Sequence, residues 1–256
     1  MMADPTRRFS SRVANYVRYR PGYPPAIVDL LARACGLSRD SIVADVGSGT
    51  GLFAELFLQR GYSVLGVEPN REMRAAGERL LAGYAGFTSV DGAAEATTLG
   101  DASVDLVTAG QAFHWFDRPR ARAEFARILR PPRWAALVWN ERQSASTPFL
   151  AAYERLLLTY ATDYAQVNHT QVDDAVIGTF FAPGGFTLAT FPNRQTFDYA
   201  GLEGRLLSSS YAPEPGHPGY APMLRELRAI FDAHQAGGAV AFIYDTKVYY
   251  GPIAPD

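Results

Sequence analysis

Short apolar runs alternate with amphipathic stretches through the first 140 residues of the chain. Ile42–Val46, Ser63–Val67, Phe87–Val90, Val104–Ala109 and Trp134–Trp139 are mainly β-branched or small apolar residues, as expected of strands in a sheet covered on both faces. Between them, apolar residues recur at helical spacing: Ile27, Leu30 and Leu31 in 25–34, Met73, Ala76, Leu80 and Leu81 in 70–81, and Ala121, Phe125, Ile128 and Leu129 in 118–129. Pro131-Pro132 close the last of these. Strand followed by helix, repeated, predicts an α/β fold with a doubly wound, mostly parallel sheet.

After Asn140 the pattern changes. Phe149, Leu150, Tyr153, Leu156, Leu157 and Tyr160 predict a strong helix, and polar residues then surround Asn168-His169. Pro183-Gly184-Gly185 is a turn, Phe186–Phe197 reads as a strand, and Met223, Leu224, Leu227, Ile230 and Phe231 mark a long helix. Ala239–Tyr250 is a long apolar strand. At the other end, Phe9, Val13, Tyr16 and Val17 fall near helical spacing until Pro21-Gly22 interrupts them.

The chemistry concentrates where the first strand breaks. Asp45-Val46-Gly47-Ser48-Gly49-Thr50-Gly51 places three glycines at alternate positions, and Leu52, Phe53, Leu56 and Phe57 follow at helical spacing. Such a strand, glycine loop and helix N-terminus suit a nucleotide-like ligand, because free N–H groups and the helix dipole favour polar or anionic groups there. The second strand ends at Glu68, which either accepts both hydroxyls of a ribose or caps the helix starting near Asn70. A dinucleotide fingerprint would place its third glycine at position 52, where this chain has Leu. A P-loop is excluded, since Lys247 is the only lysine.

D-V-G-S-G-T-G at 45–51 and G-V-E-P-N at 66–70 resemble the motifs of class I S-adenosylmethionine-dependent methyltransferases. The segment F-S-S-R-V-A-N-Y-V-R-Y-R-P-G-Y-P at 9–24 and A-F-H-W-F at 112–116 resemble the methyltransferase type 11 branch, which includes trans-aconitate methyltransferase-type small-molecule enzymes. The likeness implies a Rossmann-like sheet with an antiparallel last strand and a helical cap insertion. It also implies a single domain over 1–256, divided into a cofactor-covering segment (1–24), a cofactor-binding core (25–140), the cap (141–182) and a C-terminal part of the sheet carrying a substrate-side loop (183–256).

By the same resemblance S-adenosylmethionine is the cofactor. Its expected partners are Asp45, Gly47, Ser48, Gly49, Thr50, Gly51, Glu68, Pro69, Met73, Gly110 and Gln111, with Tyr16 and Arg20 at its carboxylate end. Relatives often carry G-D-A after strand three, whose Asp reaches the adenine amino group. Here the sequence is Gly92-Ala93-Ala94, so backbone is expected to line the adenine, and the polar contact is either lost or taken by Asp91.

Gly110–Phe116 follow strand four directly, at the carboxyl edge where open α/β sheets place ligands. His114, Trp115 and Phe116, with Asn140 and with Tyr211 of the L-L-S-S-S-Y-A-P stretch, are the expected substrate contacts. His114 is either a general base for an acceptor hydroxyl or a pocket residue bonded to a backbone carbonyl.

Composition narrows the alternatives. A net charge of −2 gives no electrostatic reason to expect nucleic acid or an anionic membrane. One cysteine, Cys35, excludes an intramolecular disulfide and a multi-cysteine metal site, and its leucine neighbours suggest a buried thiol. The four histidines lack metal-ligand spacing, and neither G-x-S-x-G nor H-E-x-x-H occurs, so no metal is expected. With no apolar leader and no transmembrane-length run, a cytoplasmic protein is the expectation. The reading is methyl transfer to a small-molecule acceptor on O, C or N. Its alternatives are a non-catalytic S-adenosylmethionine-binding protein and a nicotinamide-dependent oxidoreductase.

Overall fold

The computed structural model describes residues 17–162, 164 and 173–254. Tyr16 and His169 therefore lie outside the described residues.

The strands are β1 (Ile42–Val46), β2 (Ser63–Val67), β3 (Phe87–Val90), β4 (Val104–Gly110), β5 (Leu129–Arg142), β6 (Thr187–Phe197) and β7 (Val240–Pro252). They form one seven-stranded sheet in the order β3-β2-β1-β4-β5-β7-β6. Strands β1 to β5 pair in parallel, from Val46 beside Val67 to Val107 beside Ala135. Strand β7 runs antiparallel to both neighbours, β5 and β6. The last strand is therefore antiparallel as expected, and it is inserted between β5 and β6.

The helices are α1 (Ala26–Cys35), α2 (Ala54–Leu58), α3 (Arg71–Leu80), α4 (Arg118–Ile128), α5 (Pro148–Tyr160), α6 (Asp174–Phe180), α7 (Tyr199–Leu207) and α8 (Tyr220–His234). Five start on side-chain caps that satisfy a first-turn amide: Asn70, Asp117, Thr147, Asp173 and Asp198. Helix α2 is shorter than the apolar spacing after Gly51 predicts, only five residues.

The pleat divides the core. On one face Ala44, Val46, Val107, Ala109, Ala135, Leu137 and Trp139 pack under α4 and α6 through Phe125, Ile177, Phe180 and Phe181. On the other, Val43, Val64, Leu106, Ala136, Val138 and Val248 pack under α1 and α2. Along β7, Val240, Phe242 and Tyr244 share the face of Val248 and meet α5, α7 and α8. Helices α5 and α6 thus pack on opposite faces of the sheet, although both fall within the segment expected to form the cap.

On helix α4, the Glu124 carboxylate accepts from the backbone amide and hydroxyl of fully buried Thr97 and from Arg127, at 2.5–2.8 Å. Burial raises the Glu124 pKa, but these donors outweigh it and hold the group down at about 2. The folded pKa lies below the unfolded value of about 4.3, so this stabilisation is present above that pH and is lost as pH falls toward 2. Glu124→Gln is expected to lower stability at pH 7 and to flatten the acid limb of a urea-denaturation series run from pH 7 to 3. A variant with an unchanged acid limb would show that Glu124 is not the titrating group.

Candidate cofactor and acceptor site

The glycine loop crosses the carboxyl ends of β1 and β2, held by Gly47 N and Ser48 N, which both donate to the Val67 carbonyl. Gly47, Gly49 and Gly51 all have positive φ, at 69°, 59° and 84°. A Cβ on Gly47 would stand 2.6 Å from Ala112 Cβ, and one on Gly51 would stand 2.4 Å from Leu81 Cδ1. These two glycines serve the left-handed backbone and close packing of the loop on its own protein. Helix α2 begins only at Ala54 and runs for five residues, and the amides of Gly47, Ser48, Gly49 and Gly51 are all bonded within the protein.

Glu68 ties the loop to the end of β2. Its Oε2 accepts from Gly49 N and its Oε1 from Asn70 N, both at 2.8 Å, and the residue is buried. Burial raises its pKa while the two amides oppose that shift. Each carboxylate oxygen keeps a further lone pair, so the two anchor bonds leave room for ligand hydroxyls to donate to it.

Two cavities open on either side of the loop. One, of about 260 Å³, is lined by Gly49, Glu68, Pro69, Met73, Ala93, Ala94, Glu95 and Phe116. The other, of about 270 Å³, is lined by Arg20, Asp45, Ser48, Thr50, His114, Asn140, Arg142, Arg205, Tyr211 and others. Gly47, Gly110, Gln111 and Trp115 line both, forming the passage between them. Gln111 at the end of β4 has a φ of 57°, a strained turn at the site mouth.

In the second of these cavities two buried oxygens have no partner. Asp45 accepts from Thr108 Oγ1 through Oδ1 at 2.9 Å, but its Oδ2 makes no hydrogen bond, and neither does Thr50 Oγ1. Burial pushes the Asp45 carboxyl up to about 7, against the Thr108 hydroxyl and the Ala54 amide, with Glu68 adding to the rise. An unpaired buried carboxylate oxygen is costly unless a ligand cation meets it.

Most of the residues that the sequence singles out come together here, with several differences of place. Phe116 lies in the Glu68 cavity and not with His114 and Tyr211. Gly51 and Gly92 line neither cavity; a Cβ on Gly92 would stand 2.6 Å from the Thr97 carbonyl oxygen. Asp91 is turned outward in a bidentate pair with Arg74, at 2.9–3.0 Å, so it is not the polar group beside Ala93. Glu95 instead lines the cavity beside Ala93 and Ala94, its Oε1 accepting from Asp117 N at 2.7 Å, and only its acidity two residues past Ala93 could have signalled it.

Asn140 lines its cavity with its amide already engaged. Its Nδ2 donates to the Pro21 and Gly22 carbonyls, and its Oδ1 accepts from Thr246 and Asn193. It fastens the 20–23 segment over the sheet, which carries Arg20 into the cavity wall. His114 sits on a 3-10 turn, Phe113–Trp115, 4.7 Å from the Trp115 ring, with its Nδ1 buried. Cys35 lies outside both cavities, and burial pushes its thiol up to about 12, so it is not a thiolate at neutral pH. Among the described residues no three His, Cys, Asp or Glu side chains cluster to hold a metal ion. No described helix is long and apolar enough to cross a membrane.

Residues 44–136 match the family model described as a methyltransferase domain. An uncharacterized methyltransferase of Mycobacterium bovis is 40% identical over 139 residues, covering 54% of each chain, so the match spans about half the length of that relative. One from Schizosaccharomyces pombe is 34% identical over 155 residues, covering 59% of each. Among solved structures, a candidate type II methyltransferase of Anaeromyxobacter dehalogenans superposes with a TM-score of 0.67 at 23% identity, covering 93% of this chain and all of that one. A phosphoethanolamine N-methyltransferase of Haemonchus contortus, in complex with S-adenosylhomocysteine, gives 0.53 at 14% identity, covering 99% of this chain and 59% of that one. Residues 44–136 are thus similar to a methyltransferase domain, and the seven-stranded sheet is the Rossmann-like fold of the solved methyltransferases it superposes on.

Gly47→Ala is expected to cost about 1–3 kcal/mol, from a positive φ and from the contact with Ala112. Gly22→Ala, where a Cβ meets nothing within 4 Å, is the control. Equal losses in urea denaturation would show that the loop does not impose this constraint.

Proposed function

We propose that this protein transfers a methyl group from S-adenosylmethionine to a small-molecule acceptor. The observation that carries the reading is the pair of buried, partnerless oxygens, Asp45 Oδ2 and Thr50 Oγ1, beside a glycine loop whose far side presents Glu68. The residues fit a zwitterionic amino acid joined to a nucleoside. Asp45 and Thr50 would hold the α-ammonium, Arg20 the α-carboxylate, Glu68 the ribose hydroxyls, and Ala93, Ala94, Met73 and Phe116 the adenine, with Glu95 on its amino group.

When bound, the group supplies a sulfonium methyl whose C–S bond breaks with its electron pair passing to sulfur as the acceptor's lone pair forms the new bond. The protein's own work is alignment and exclusion of water. Trp115, Gln111 and Gly110 line both cavities and so border the point where cofactor and acceptor meet. His114 lies in the acceptor-side wall, where it would take the proton of an acceptor hydroxyl. The comparison names support methyl transfer, and a cavity of only about 270 Å³ supports a small acceptor over a polymer.

The Asp45 carboxyl, raised to about 7, gives this reading a pH signature. Its contribution to the stability of the ligand-free protein is fully present below the unfolded pKa of about 3.9 and is lost as pH rises through about 7. An ammonium ligand restores it by meeting the ionised form. Calorimetric affinity for S-adenosylmethionine is therefore expected to rise between pH 5.5 and 7.5 in roughly that pKa range, and the rise should vanish in Asp45→Asn. Glu68→Ala is expected to weaken binding by about 1–3 kcal/mol. A pH-independent affinity in the parent protein, or full affinity in Glu68→Ala, would refute the assignment of these two acids.

A further inference from the structure

We infer that the part of the Asp45 cavity lined by Arg142 and Arg205 is an anion site, built to hold the carboxylate of a small monoanionic acceptor between them. The inference rests on the methyl-transfer reading and adds the acceptor's chemical class to it.

Arg205, on α7, is 6% exposed and makes no ion pair among the described residues. Its Nη1 donates to Ser209 Oγ at 3.2 Å, its guanidinium lies 5.8 Å from the Phe242 ring centroid, and its buried Nε–H reaches no acceptor. Arg142, the last residue of β5, donates Nη2 to Glu154 and to Tyr164 Oη, while its buried Nη1 reaches no acceptor. Both side chains line the same cavity. A buried guanidinium with no counter-ion is expensive, and an idle donor adds to the cost. Arg205, without a counter-ion, and Arg142, with an idle Nη1 beside its pair with Glu154, line one space, and an anion that enters it would meet both.

The charges that face the space set the size of that anion's charge. Among the described residues, three arginines and three carboxylates line the cavity: Arg20, Arg142 and Arg205 against Asp45, Glu141 and Glu154. Glu141 pairs outward with Lys247 at 2.5 Å. Arg20 and Asp45 answer the carboxylate and ammonium of the methionine end. What is left is two guanidinium groups against Glu154, an excess of one positive charge, which a monoanion balances and a dianion overshoots. Planar, forked donors match a carboxylate, and the walls of Tyr164, Tyr211 and Tyr244 suit a flat apolar body behind it. A carboxylate held by two guanidinium groups has its lone pairs engaged and is a poor nucleophile. It serves as the handle, undergoes no bond change itself, and leaves another atom of the acceptor to face the methyl group.

The test uses the full chain and calorimetry, with and without S-adenosylhomocysteine. Benzoate, phenylacetate, salicylate and 4-hydroxybenzoate are titrated beside their primary amides and beside phenyl phosphate. At least one carboxylate is expected to bind about tenfold or more tightly than its amide, with that preference lost in Arg142→Gln and in Arg205→Gln. S-adenosylhomocysteine affinity should stay unchanged in both variants. If buried Arg205→Gln fails to fold, Arg142→Gln decides alone. Amides that bind as well as carboxylates, no carboxylate binding in the parent protein, or tighter binding of phenyl phosphate would each overturn the proposal. Loss of S-adenosylhomocysteine binding in the parent protein would instead count against the methyl-transfer reading, since the anion titrations are also run without it.

Discussion

The site depends on one carboxylate. Glu68 sits at the end of β2 and accepts an amide from Gly49 on one oxygen and from Asn70 on the other. It thereby fixes the tip of the glycine loop against the start of α3, next to the Asn70 cap that begins that helix. Burying this group is unfavourable, and two charge-assisted hydrogen bonds offset the cost only while the loop keeps its left-handed turns. The two cavities exist because that loop is held open between them.

Strand positions were legible because parallel strands buried on both faces leave unbroken apolar runs: β1, β2 and β3 coincide with theirs residue for residue. Strand β5 runs well beyond Trp134–Trp139 because polar Asn140, Glu141 and Arg142 continue the ladder beside β7. Helices α6 and α7 left little trace. Helix α7 shows Leu202, Leu206 and Leu207 amid Gly201 and Gly204, too few apolar positions to establish a period. Arg205 was invisible for that reason, since nothing marked its helix or the cavity it turns toward.

The glycine spacing was legible as a ligand loop, but its physical cause was only partly so. Gly47 and Gly51 are demanded by Ala112 and Leu81, contacts made by segments distant in sequence. Asn140 illustrates the same limit from the other side. Its place at the end of β5 marked it as ligand-facing, whereas its amide is spent on Pro21, Gly22, Asn193 and Thr246. Such long-range partners are set by the sheet order, which periodicity does not encode. Asp91 and Glu95 differ for an equally tertiary reason, because Arg74 on α3 draws Asp91 out of the pocket.

On the proposed reading the loop, Asp45 and Glu68 form one cradle for a zwitterionic amino acid joined to a nucleoside. Calorimetric titration of the protein at pH 7.5 with S-adenosylmethionine, and separately with NADH, tests it most directly. The cradle predicts saturable binding of S-adenosylmethionine at one site per chain and no binding of NADH. Binding of NADH alone, or of neither, would contradict it.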